Sequence, residues 1–123
     1  MLLAVDIGNT NIKFGIYDGE NLVHKFSLPT ALDISAASLD TSKFPVTNAI
    51  VCSVVPEINS SVSDQISTEF GVTASFVTND LDFGLDIKYE PLSAAGTDRL
   101  VNVFSAVEKY VGPCVVCSFG TAL

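Results

Sequence analysis

The chain has 123 residues, 48% hydrophobic and 16% charged; this is the size of one domain, with enough apolar material to bury roughly two thirds of the surface its unfolded form exposes. Fourteen acidic against six basic residues leave a formal charge of −8, and no basic patch offsets it, so nucleic acid and anionic membrane surfaces are excluded as partners. No apolar run approaches the roughly 20 residues that span a bilayer, and no basic segment precedes the first run as in a signal peptide, so a cytoplasmic protein is expected.

Leu2 to Val5 predicts a short strand, joined through Gly8-Asn9-Thr10-Asn11 to a second one over Ile12 to Tyr17. Asp18-Gly19 signals a hairpin, and Leu22 to Leu28 predicts a third, antiparallel strand with His24 exposed on it. Pro29 to Pro45, rich in Ser, Thr, Ala and Asp, reads as loop with a short helix. Ala49 to Val55 is an almost continuous β-branched run, the pattern of a strand covered on both faces, and it stops at Pro56. Ile58, Val62, Ile66 and Phe70 then recur every four residues, predicting an amphipathic helix from Glu57 to Phe70 that ends at Gly71.

Val72 to Val77 predicts another strand, followed by a long loop from Thr78 to Ala95 whose Asp80, Asp82, Asp86 and Glu90 read as a solvated acidic surface. Leu100, Val103, Phe104, Val107 and Tyr110 mark a second helix, opened near Gly96-Thr97-Asp98 and closed by Gly112-Pro113. Cys114 to Phe119 predicts a last buried strand, which needs neighbours from a continuation or another chain to cover it. Cys52, Cys114 and Cys117 read as reduced core residues, because a spacing of three on a strand sends side chains to opposite faces. These elements make an α/β domain whose mixed sheet starts as an antiparallel three-strand meander and continues α-β-α-β.

Three short stretches carry candidate chemistry. In Asp6-Ile-Gly-Asn-Thr-Asn-Ile-Lys13, a carboxylate at a strand end is placed to hold a hydrated divalent cation, and the amides of Gly8 to Asn11 can converge on an anion beside the Thr10 hydroxyl and the Lys13 ammonium. The same residues also make an ordinary turn, and both readings stand on this stretch alone. Gly96-Thr97-Asp98-Arg99 opens a helix, where Thr97 or Asp98 suits an N-cap. The adjacent Arg99 suits a substrate carboxylate, and Asp98 is placed to accept a proton from a substrate hydroxyl. Ser118-Phe-Gly-Thr-Ala122 repeats the strand-then-turn logic of the opening stretch.

With DIGNTNIKFGIYDG, CSVVPEIN, GTDRLVN and FGTA in this order and spacing, the chain resembles the type III pantothenate kinases, of the acetate and sugar kinase/Hsp70/actin superfamily. The resemblance implies a ribonuclease-H-like (actin-like ATPase) domain over residues 1–113, with 114–123 as the first strand and turn of a second such domain. It implies transfer of the ATP γ-phosphate to the hydroxyl of pantothenate, in coenzyme A biosynthesis, within a complete two-domain and commonly dimeric assembly. By position, Asp6, Ile7, Gly8, Asn9, Thr10, Asn11, Ile12 and Lys13 would bind nucleotide, with Asp6 organising Mg2+ through water. Thr121 would contact ATP. Tyr89, Gly96, Thr97, Asp98 and Arg99 would bind pantothenate, with Asp98 as the catalytic proton acceptor. Ser118 stands where the family usually has an Asp that holds K+ or NH4+, and a serine lacks the charge to hold that cation equally well. That departure keeps open an alternative, a non-catalytic regulatory or assembly subunit of the same fold in a homo- or hetero-oligomer.

Overall fold

A computed structural model describes residues 1–120. Its centre is a five-stranded sheet built from β1 (Leu2–Ile7), β2 (Asn11–Asp18), β3 (Asn21–Pro29), β4 (Asn48–Ser53) and β5 (Ala74–Phe76), with helices α1 (Asn59–Phe70) and α2 (Thr97–Lys109). The strand order is β3-β2-β1-β4-β5. β1, β2 and β3 pair antiparallel, whereas β4 runs parallel to β1 and β5 parallel to β4. The sheet is mixed, as expected of an antiparallel meander continued by parallel strands, with β1 at its middle.

Register decides which side chains become core. Pairing Leu3 with Ile16, Val5 with Phe14 and Ile7 with Ile12 puts six apolar side chains on one face, and the parallel pairing of Leu3 with Ala49 and Val5 with Val51 extends that face into β4. All of these are buried, and α1 closes over them with Val62 and Ile66. The four-residue spacing read from the sequence is thus the helix stripe that meets the sheet. α1 stops where expected: Gly71 adopts φ +69°, a left-handed cap that returns its N–H to the Ser67 carbonyl at 2.9 Å. Its start differs from the expected Glu57, because Pro56–Ile58 form a separate 3-10 turn before it.

The region from Pro29 to Pro45 contains two 3-10 turns, Ile34–Ala37 and Thr41–Lys43. Gln65 of α1 ties down the first: its Oε1 accepts from the Ile34 N–H at 2.7 Å while its Nε2 donates to Asp33 at 3.0 Å. His24, expected to be exposed, is half-buried and lies with ring centroids 5.1 Å from Phe44 and 5.9 Å from Phe26. β5 is shorter than the predicted Val72 to Val77, although the Val77 N–H still donates to the Val51 carbonyl at 2.8 Å.

The predicted strand over Cys114 to Phe119 is not formed. These residues are irregular and exposed, with Val115 at 90% and Phe119 at 78% of full accessibility. Cys114 and Cys117 are therefore exposed thiols, not the core residues expected. The physical reason is that a strand needs a ladder partner, and among the described residues none pairs with this segment. α2 shares the exposure, leaving Val103, Phe104 and Val107 substantially accessible. Among the described residues, no helix is long and apolar enough to cross a membrane.

The helix-on-sheet core predicts unequal costs for two isoleucines. Ile66→Ala, at a fully buried position, should destabilise the domain by about 3 kcal/mol in urea unfolding, as deletion of buried methylene groups does. Ile50→Ala, on the open face of β4 at 42% accessibility, should cost less than about 1 kcal/mol.

Candidate active site

The C-terminal ends of β1 and β4 lie side by side, with Asp6 and Lys13 at the first and Thr97 hydrogen-bonded to the second. Asp6 is the penultimate residue of β1; its neighbour across the antiparallel ladder is Lys13 and across the parallel ladder is Cys52. The Lys13 Nζ stands 3.8 Å from Asp6 Oδ2, with both side chains largely open to solvent. Such a pair contributes little to stability, but it keeps a carboxylate and an ammonium together at an accessible strand end.

The turn that follows is strapped down. The Gly8 N–H donates to the Asn11 carbonyl at 3.0 Å, the Thr30 hydroxyl donates to the Gly8 carbonyl at 2.8 Å, and the Thr30 N–H donates to the Thr10 carbonyl at 3.0 Å. The Gly8 amide is thereby committed inside the turn, which narrows the expected set of anion-facing amides. Ile7 and Ile12 are buried in the core, so they anchor the two ends of the turn, while Asn9, Thr10 and Asn11 face outward.

The second stretch arrives from the far side of β4. α2 begins at Thr97, whose hydroxyl donates to the Ser53 carbonyl at 3.0 Å and accepts from the Cys52 Sγ at 3.5 Å. Asp98 sits in the first turn of α2, where the helix dipole favours a carboxylate. A Cβ at Gly96 would meet Asp98 Oδ1, so a larger residue there would oblige that carboxylate to shift. Burial pushes the Cys52 thiol above its ordinary pKa, the Thr97 hydrogen bond opposes this, and the nearby charges of Asp6 and then Asp98 raise it further. Both carboxylates therefore act on one thiol from the two motifs.

Arg99 and Tyr89 meet elsewhere, in an apolar cleft of about 600 Å³ between the 85–89 loop and α2. Leu85, Ile87, Leu100 and Val103 supply its walls, and Lys88 and Asp86 also line it, paired at 2.6 Å. An apolar cleft with a guanidinium and a phenol suits a small molecule that carries both a carboxylate and a branched aliphatic part. Ser118 is exposed in the irregular segment, and Thr121 lies outside the described residues.

Cys52 reads from the sequence only as core, and Asp86 as part of a solvated acidic loop of which one member could contact a cation. The signal for Cys52 was its place in the run before Ser53 and Pro56, at the end of a parallel strand, where α/β proteins gather their ligand-facing residues. Nothing local marks Asp86.

The family model for type III pantothenate kinase matches residues 2–123. A type III pantothenate kinase of Solibacter usitatus is 38% identical over 100% of this chain and 51% of its own length, and one of an Exiguobacterium species is 34% identical over 99% and 52%. The chain thus spans about half the length of the curated relatives it matches. A crystal structure described as the Aquifex aeolicus member of the Ppx/GppA family matches with a TM-score of 0.34 at 14% identity, over 63% of this chain and 34% of that one, too loose a likeness to carry weight.

The arrangement orders the three thiols by reactivity. Because the thiolate is the attacking species, iodoacetamide at neutral pH should alkylate the exposed Cys114 and Cys117 at least about tenfold faster than Cys52. Peptide mapping by mass spectrometry against time reads the difference.

Proposed function

Because the chain belongs to the type III pantothenate kinase family, we propose that it forms part of an ATP-dependent pantothenate kinase, active within an assembly that includes the half of the relatives' length it does not span. The observation that carries this reading is that Cys52, the ladder neighbour of Asp6, is hydrogen-bonded to Thr97, the residue directly before Asp98 at the start of α2. Phosphoryl transfer requires both sides in one place.

In this reading the pantothenate carboxylate pairs with Arg99, whose planar fork matches it, and the branched aliphatic part lies on the apolar walls near Tyr89. Asp98 accepts the proton of the primary hydroxyl as that oxygen bonds to the γ-phosphorus. The bond from the γ-phosphorus to its bridging oxygen breaks, and ADP leaves. Lys13 and the Asn9 to Asn11 turn face the nucleotide phosphates.

Asp6 fits a divalent cation held mainly by water and phosphate, since its carboxylate is half-exposed at a strand end. Magnesium bound there would neutralise phosphate charge. The monovalent cation of the family fits less well, because Ser118 offers only a neutral hydroxyl on an exposed segment. That residue alone favours the second reading, a non-catalytic subunit of the same fold.

In the completed assembly, Asp98→Asn should lower turnover by about 100- to 10,000-fold while the far-ultraviolet circular dichroism stays unchanged; undiminished turnover would remove Asp98 as proton acceptor. Arg99→Lys should raise the KM for pantothenate by about tenfold and leave that for ATP in place. Absence of kinase activity even with Ser118→Asp would favour the non-catalytic reading.

A further inference from the structure

Thr97 is the one buried polar side chain among the described residues. Its hydroxyl is occupied within the protein: the proton goes to the Ser53 carbonyl and an oxygen lone pair takes the Cys52 thiol proton. Ser53 ends β4, and its parallel partner in β1 is Ile7, while that of Cys52 is Asp6. The first residue of α2 is therefore hydrogen-bonded to the two β4 residues that stand beside Asp6 and Ile7. The next residue, Asp98, stands in the first turn of that helix.

We propose, on the basis of the function proposed above, that Thr97 and Cys52 are positioning residues for phosphoryl transfer, a hydroxyl–thiol lock that fixes the Asp98 carboxylate relative to Asp6 without touching substrate. This differs from the role the resemblance implies for Thr97, because a hydroxyl already engaged with a carbonyl and a thiol has little left to offer a ligand. Its function is geometric. It sets where α2 begins, and a shift of the helix start moves the proton acceptor away from the hydroxyl it must meet.

Two measurements test the lock. In the chain itself, Thr97→Val should speed hydrogen exchange of the Arg99 and Leu100 amides, which donate to the Gly96 carbonyl, by about tenfold relative to the β1–β3 amides, the size expected when one buried hydrogen bond is lost. In the completed assembly the same variant should lower kcat by about 30-fold with both KM values within about twofold, whereas Thr97→Ser and Cys52→Ser, each made in the parent, should keep kcat within about threefold, since each leaves a donor and an acceptor in place. A rise in the KM for pantothenate at constant kcat would make Thr97 a substrate contact and overturn the proposal. So would a loss of kcat in Thr97→Ser equal to that in Thr97→Val. If the unaltered assembly has no kinase activity, the proposed function fails, and the lock is judged by exchange, where equal protection in Thr97→Val and the parent chain overturns it.

Discussion

The parallel pairing of β1 with β4 is the constraint on which the rest of the structure depends. It sets Leu3 beside Ala49 and Val5 beside Val51, which continues the apolar face that α1 covers. The same register sets Asp6 beside Cys52 and Ile7 beside Ser53 at the strand ends. Since side chains alternate along both strands, a slip of one residue would bury the wrong set and separate Asp6 from the start of α2 together. Core and site are therefore fixed by one ladder. The Val54 N–H extends it by one bond, donating to the Ile7 carbonyl at 3.1 Å.

Around that ladder the two helices have different tasks. α1 is held by burial: Val62 and Ile66 sit against the sheet, and Gln65 joins the helix to the turn at Ile34. α2 is held by its first residue, through hydrogen bonds to β4, and much of its apolar stripe stays accessible. Burial tolerates small slides of a helix, whereas a buried hydrogen-bond pair selects one position. It is at the helix whose first turn carries Asp98 that the structure uses the more selective kind of attachment.

Much of this was legible in the sequence. Alternation in the first strands, the Asp18-Gly19 hairpin, the four-residue period ending at Gly71 and the helix opening at Gly96 are local signals, and local signals survive into the fold. Three features were not legible, each because it depends on partners far along the chain. Cys114 to Phe119 has the composition of a buried strand, but composition does not supply a ladder, and the segment is irregular. His24 looked like a surface residue until Phe44, from a loop of weak pattern, came to lie beside it. Cys52 looked like one more apolar residue in a buried run, and only the arrival of Thr97 gives its thiol a partner. The candidate site was readable as residue types and order. The commitment of the Gly8 amide within its own turn was not, since it follows from how closely Asn11 returns.

The β1–β4 ladder also carries a larger entropic cost of closure than the meander. β1, β2 and β3 join through short turns and close cheaply, whereas β4 reaches β1 only after the long segment between Pro29 and Asn48 has been ordered. Ladders with large sequence separation form slowly. On closure entropy alone, the meander that sets Asp6 opposite Lys13 is the cheaper part to form, and the β1–β4 ladder to which Thr97 attaches α2 is the costlier. The attachment point of α2 thus rests on the pairing that carries the larger closure cost.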